Sequence, residues 1–131
     1  MTGLTKVVVE ARPPSSLREL IGAERAALFD ATATAASELL AGRAVINVNS
    51  TAKGGGVAEL LQTVLAYARG VGVDTRWYVI EGSPGFFEIT KRIHNHLYGT
   101  SGDGGPLGAA ERRHYESVLG SNVEKLLRSV S

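Results

Sequence analysis

Residues 44–80 read AVINVNSTAKGGGVAELLQTVLAYARGVGVDTRWYVI, and the changes of pattern along them decide the fold. Residues 44–49 are short, rich in β-branched side chains and followed by glycine, which is how a buried parallel strand reads. Residues 50–56 form the glycine-bearing loop. From Val57 on, Leu60, Leu61, Val64, Leu65 and Ala68 recur at three- and four-residue steps as far as Gly70, which predicts a helix. Beyond Gly72, residues 73–80 return to strand texture, with Trp77 and Val79 among polar alternates. Strand, loop, helix and strand make one βαβ unit of ordinary length, for which a right-handed crossover is expected.

Working outward, residues 6–10 place Val7 and Val9 on one face and predict a short edge strand that ends before Pro13-Pro14. Ser15 or Ser16 is a candidate cap for a helix carrying Leu17, Leu20, Ile21, Ala27, Leu28 and Ala31, bent at Gly22. A second, alanine-rich helix is predicted over 30–41, stopped by Gly42 and Arg43. On the C-terminal side, Ser83-Pro84 opens a helix with Phe86, Ile89, Thr90, Ile93 and Leu97 along one stripe, ending before Gly99. Residues 100–108 contain four glycines and one proline and read as a mobile loop. A last helix starts near Ala109 and carries Tyr115, Val118, Leu119, Val123, Leu126, Leu127 and Val130. Two or three strands cannot cover four or five amphipathic helices, since an α/β sheet ordinarily has about five or six strands. The expected class is α/β and helix-rich: part of a Rossmann-like, doubly wound sheet with an exposed edge.

The composition bounds the chemistry. The 131 residues suit one domain, and 14 Lys+Arg against 13 Asp+Glu leave a formal charge of +1. No global charge therefore favours nucleic acid or an anionic membrane surface as partner. No window reaches the roughly 18 apolar residues needed to span a bilayer, and the first residues lack a signal-peptide pattern, so a cytoplasmic location is expected. With no cysteine, disulfides, thiolate nucleophiles and cysteine-ligated metals are excluded. His94 and His96 stand about 200° apart around a helix, too far to share a metal, so no metal site is expected. His114, beside Arg112 and Arg113, is expected to face solvent. No Ser–His–Asp triad can be assembled from spacing, because triads are recognised by geometry. The aromatic residues are too scattered for a base-stacking platform.

Two groups of residues remain as candidate sites. Lys53, Gly54, Gly55 and Gly56 precede a helix, so backbone N–H groups and the positive end of the helix dipole can approach a phosphate or diphosphate, with Lys53 adding a full charge. The loop matches neither G-x-G-x-x-G nor G-x-x-x-x-G-K-[ST]. A plain βα turn, with Glu59 merely suiting the first helical turn, fits the same residues. On the helix after Pro84, Lys91, His94, Asn95 and Tyr98 form a polar stripe that suits either a sugar-like ligand or solvent.

The segment VINVNSTAKGGGVAELLQTVLAYARGVGVDTRWYVIEGSPGFFEITKRIHNHLYG, residues 45–99, resembles the N-terminal part of trehalose-forming glycosyltransferases of the trehalose synthase and phosphorylase kind. Asn49-Ser50-Thr51, the GGGVAE loop, Gly72-Val73-Asp74-x-Arg76-Trp77-x-Val79-Ile80 and Phe87-Glu88-x-Thr90-Lys91-x-x-His94-Asn95 occur in that family's order. Leu17 to Gly22 resembles its first helix, and Tyr115 to Val130 the helix before its next strand. The resemblance implies a retaining enzyme with a two-domain GT-B fold that moves glucose from a nucleotide-glucose to the anomeric hydroxyl of a second glucose. It needs no cofactor beyond that nucleotide-sugar substrate. By the same resemblance Gly54, Gly55, Gly56 and Lys53 approach the donor diphosphate, while Asn49, Glu59, Lys91, His94 and Asn95 lie on the acceptor side. No catalytic residue is assigned.

Residues 1–131 are accordingly expected to be a single, incomplete acceptor-side domain. The family continues into a further strand, a His-Asp-Pro segment and a C-terminal domain that binds the nucleotide-sugar. Lys53 stands where relatives carry bulkier or apolar residues, and residues 101–108 are richer in glycine. The expected function is glucose transfer that fails without a separate C-terminal glycosyltransferase domain. The alternative is a non-catalytic binding or assembly protein derived from such a domain. The shortage of sheet predicts a homo-oligomer, most simply a dimer, joined through Val118, Leu119, Val123, Leu126 and Leu127 or through the strand at 7–9.

Overall fold

The computed structural model describes residues 3–130. Along the chain run β1 (Thr5–Val7), α1 (Ser15–Ile21), α2 (Ala23–Leu39), β2 (Val45–Asn49), α3 (Gly56–Gly70), β3 (Thr75–Val79), α4 (Pro84–Leu97) and α5 (Ala109–Val130). The architecture is mixed α/β and helix-rich, around one three-stranded sheet in the order β1-β3-β2. The chain forms two compact units: one is Lys6–Val79, the other joins the N-terminal residues through Thr5 to everything from Ile80 on. No helix of the described residues is long and apolar enough to cross a membrane.

In the first unit β2 and β3 are parallel, from Val45 opposite Thr75 to Asn49 opposite Val79. Alternation along β3 sends Trp77 and Tyr78 to opposite faces, and both are almost fully buried. Trp77 packs with Ala58 and Leu65 of α3, and Val7, Val9, Ala52, Leu61 and Val79 close around them. Truncating an aromatic of this size in such a core typically costs about 3–5 kcal/mol. Gly70 fixes a second contact, because the backbone carbonyl of Arg12 lies where its Cβ would stand, and the Arg12 amide donates to Ala66 O at 2.9 Å.

Three sequence expectations change. The strand at 44–49 is not buried in a sheet interior: β2 is an edge, with Val45 37% and Val48 43% exposed, because β3 and not β2 takes the central place. The helix break falls at Gly22 (φ +81) and not near residue 30, so Ala23–Leu39 is one helix and the two overlapping helices predicted over 15–41 are divided differently. Neither Ser15 nor Ser16 caps α1: Pro14 holds that position, its carbonyl accepting from the Arg18 amide at 3.0 Å. The edge strand predicted at 6–10 is present but short.

The second unit rests on α4 and α5. Ser83 caps α4, its Oγ accepting from the Phe86 amide at 3.2 Å, with Pro84 at the first helical position. Phe86 stacks on Tyr115 at 5.5 Å, and Phe86, Ile89 and Val118 are buried. Asn122 is buried too. Its Nδ2 donates to Glu81 O and Val118 O, and its Oδ1 accepts from the Glu81 amide, so one side chain ties the segment after β3 to α5. The loop at 100–108 is tied down rather than bare. Arg92 Nε donates to both Asp103 oxygens at 2.9 Å, and Arg92 Nη1 donates to Pro106 O.

Candidate functional site

Each set of candidate residues belongs to one unit. Asn49, Lys53, Gly54, Gly55, Gly56 and Glu59 lie in the first, at the end of β2 and the start of α3; Lys91, His94 and Asn95 lie on α4 in the second.

The turn into α3 is built by side chain and backbone together. Thr51 Oγ1 donates to Lys53 O at 2.6 Å and accepts from the Lys53 amide at 3.1 Å, closing a tight bend of the kind threonine makes with its own backbone. Gly54 (φ +73) and Gly55 (φ +86, ψ 150) then adopt left-handed backbone open to glycine. Gly55 is the N-cap, and no side chain caps the helix, so its first amides are not taken up by a Ser, Thr, Asp or Asn. Gly56 differs from its two neighbours. It has no positive φ, and a Cβ built on it meets no atom within 4 Å, so neither strain nor packing demands glycine there. Lys53 and Glu59 are exposed. The site thus offers free backbone donors at a positive helix end, a nearby ammonium group and open space above the backbone. That combination receives oxyanions.

Asn49 is half-buried and committed on one side: the indole N–H of Trp77 donates to its Oδ1 at 2.8 Å. Sequence reasoning singled out Asn49 but saw Trp77 only as a strand residue. Parallel β2 and β3, with Asn49 two positions beyond the partner of Trp77, supply the signal that was available only after pairing.

On α4, Lys91 and His94 are exposed and Asn95 is half-buried. The His94 ring lies 4.7 Å from that of Tyr98. Asn95 is also the end-stop of the helix, its backbone carbonyl accepting from the amides of Tyr98 and Thr100 and from Thr100 Oγ1. His114 is exposed, as read from the sequence, and its Nε2 is 2.9 Å from the Ser83 hydroxyl, a contact that spacing did not reveal.

The carboxylates with displaced pKa values are structural clamps. Glu81 is held below its ordinary value by the Thr5 hydroxyl and then by the Gly3 amide. Asp103 is lowered by the Gly105 amide and then by Arg92, and Asp74 by its hydrogen bond from Arg76. Among the described residues no three His, Asp or Glu side chains converge as a metal site.

Residues 47–130 match the family described as trehalose synthase, N-terminal domain. The chain is 42% identical to trehalose synthase of Thermococcus litoralis over 99 residues, 76% of this chain and 23% of that protein. It is 37% identical to trehalose synthase of Rubrobacter xylanophilus over 90 residues, 69% of this chain and 21% of that protein. It is 40% identical to trehalose phosphorylase of Grifola frondosa over 53 residues, 40% of this chain and 7% of that protein. The chain therefore spans under a quarter of the length of these curated relatives. The matched region takes in the glycine loop, the central strand with Trp77, and α4, and the chain belongs to the family of trehalose synthase N-terminal domains.

Proposed function

We propose that the chain is the acceptor-side domain of a GT-B glycosyltransferase that moves glucose from a nucleotide-glucose to the anomeric hydroxyl of a second glucose. In that reaction the bond from the donor's anomeric carbon to the diphosphate breaks, a bond to the acceptor oxygen forms, and the acceptor's proton leaves with the diphosphate. The amides at Gly54, Gly55 and Gly56, with Lys53, take the diphosphate. Asn49 and Glu59 in the first unit, and Lys91, His94 and Asn95 in the second, are each candidates for sugar hydroxyls, for which amide, carboxylate, ammonium and imidazole groups supply both donors and acceptors.

The observation that carries this reading is Gly56: glycine stands, at the start of a helix with no side-chain cap, where neither its φ nor its packing requires it. A lone half-site of this kind binds on the millimolar scale, near −4 kcal/mol. Titrating the 131-residue chain with UDP and ADP under NMR observation is expected to shift the amides of residues 53–57. Absence of shifts there up to tens of millimolar ligand rejects the reading. With UDP-glucose and glucose the same polypeptide is expected to show no turnover near the ordinary enzymatic range of about 1 s⁻¹ or more, since catalysis in a cleft needs both substrates positioned at once.

A second feature favours self-assembly. Neither α1 nor α2 has a buried residue, Leu20, Leu28 and Leu39 are largely exposed, and an apolar groove of about 360 Å³ lined by Phe29, Ala36, Val64 and Tyr67 runs between α2 and α3. Val118, one of the residues expected at an interface, is instead buried within its own unit. We propose a two-fold dimer joined through the α1–α2 surface. Light scattering is expected to show a dimer that Leu28→Asp with Leu39→Asp dissociates without unfolding; a stable monomer refutes it.

A further inference from the structure

We propose that the cleft between α1, α2 and the C-terminal end of α3 is a second binding site, and that it takes a neutral mono- or disaccharide. The cleft measures about 730 Å³, an ordinary size for a small-molecule site, and lies wholly within the unit Lys6–Val79. It is distinct from the glycine loop, because the 15 residues of α3 set the two ends of that helix about 22 Å apart. Polar side chains enter it from two helices: Arg18 from α1, and Asp30, Thr34, Ser37 and Glu38 from α2. Pro14, Ala33 and Val71 supply apolar surface between them.

The ion pair in this cleft is one-sided. Arg18 Nε donates to Asp30 Oδ1 at 2.8 Å, and Arg18 Nη2 lies 2.7 Å from the same oxygen, so Arg18 Nη1 and Asp30 Oδ2 have no partner among the described residues. A donor beside an acceptor matches two neighbouring sugar hydroxyls, one accepting from the guanidinium and the other donating to the carboxylate. Thr34 and Ser37 add two more hydroxyls. Thr32, about 200° around α2 from Asp30, folds its hydroxyl back onto Leu28 O at 2.9 Å, whereas among the described residues neither Thr34 nor Ser37 makes such a bond. Glu38 stands in the last turn of α2, where the helix end is negative and favours a cation, yet no cation pairs with it among the described residues. Two carboxylates against one guanidinium disfavour an oxyanion, and an organic cation would leave Arg18 Nη1 unmet; a neutral ligand rich in hydroxyls suits both signs. Leu28 and Leu39 each stand two residues, about 200°, from Asp30 and Ser37, so the dimer surface proposed above lies on the other side of α2.

Titration of the full chain with glucose and with trehalose under NMR observation is expected to shift the amides of 30–38 and 70–72 at millimolar sugar, while inorganic phosphate and the diamine putrescine leave them still. Thr34→Ala with Ser37→Ala removes both hydroxyls and introduces better helix formers, so it is expected to keep or raise the thermal midpoint. The same double variant is expected to weaken sugar binding about tenfold or more, as the loss of two hydrogen bonds does. Amides of 30–38 and 70–72 that stay still with both sugars overturn the proposal, whatever glucose does at 49–59 and 91–95, where it tests the acceptor-side reading instead. A response to putrescine and not to sugar makes the cleft a cation site, and a response to phosphate an anion site; either overturns the proposal. So does a double variant that binds sugar as tightly as the parent.

Discussion

Glycines in this chain do three different jobs, and the residue scale separates them. At Gly54 and Gly55 the backbone itself needs glycine, because φ is +73 and +86. At Gly70 the packing needs it, because a Cβ would stand 1.9 Å from the carbonyl oxygen of Arg12. At Gly56 neither does, and the reason we propose is the ligand. Gly70→Ala must therefore push the Arg12 segment off α3 and break the Arg12–Ala66 hydrogen bond, and is expected to lower stability by about 1–3 kcal/mol. Thermal unfolding of the variant checks this; an unchanged midpoint would mean that the N-terminal segment contributes nothing to the fold. The run of three glycines was visible in the sequence. Their division of labour was not, since it depends on backbone angles and on a neighbour 58 positions away in the case of Gly70 and Arg12.

At the scale of the element, the loop at 100–108 shows how a glycine-rich stretch acquires a fixed course. Gly102 and Gly104 turn with positive φ, Asp103 Oδ1 accepts from the Gly105 amide at 3.0 Å, and Arg92 holds both carboxylate oxygens. The Asp103 carboxyl is held below its ordinary value by the Gly105 amide first and Arg92 second. A depressed carboxylate pKa means that its contribution is fully present above the unfolded value of about 3.9 and disappears as pH falls through the lower folded value. Hydrogen exchange at the Gly105 amide is thus expected to quicken, relative to a helix amide of α4, as pH drops below about 4, and Asp103→Asn should show the fast exchange already at neutral pH. Equal exchange in parent and variant would contradict the clamp. The elements themselves were largely legible: α3, α4 and α5 follow from apolar spacing, and Ser83-Pro84 marks the start of α4 as observed. The helices around Gly22 were misdivided because a left-handed glycine breaks a helix that alanines on its far side readily continue. The place of β2 was misread because β-branched residues suit an edge as well as an interior strand, and only pairing tells which.

For the molecule as a whole, the candidate site was legible as two separate groups of residues, the glycine loop and the α4 stripe, but not the Trp77–Asn49 bond that joins core to loop. Spacing alone cannot show it, because the two residues are 28 positions apart and meet through strand register. The central claim is that the start of α3 is kept clear for a diphosphate. Replacing Gly56 by Ala tests it most directly, since alanine meets no atom of the protein and is the better helix former by up to about 1 kcal/mol. Side-by-side titration of the parent and Gly56→Ala with UDP, monitored at the amides of 53–57, is expected to give equal or higher thermal stability in the variant together with binding weakened fivefold or more. Unaltered UDP affinity in a variant of unaltered or raised stability would contradict the account.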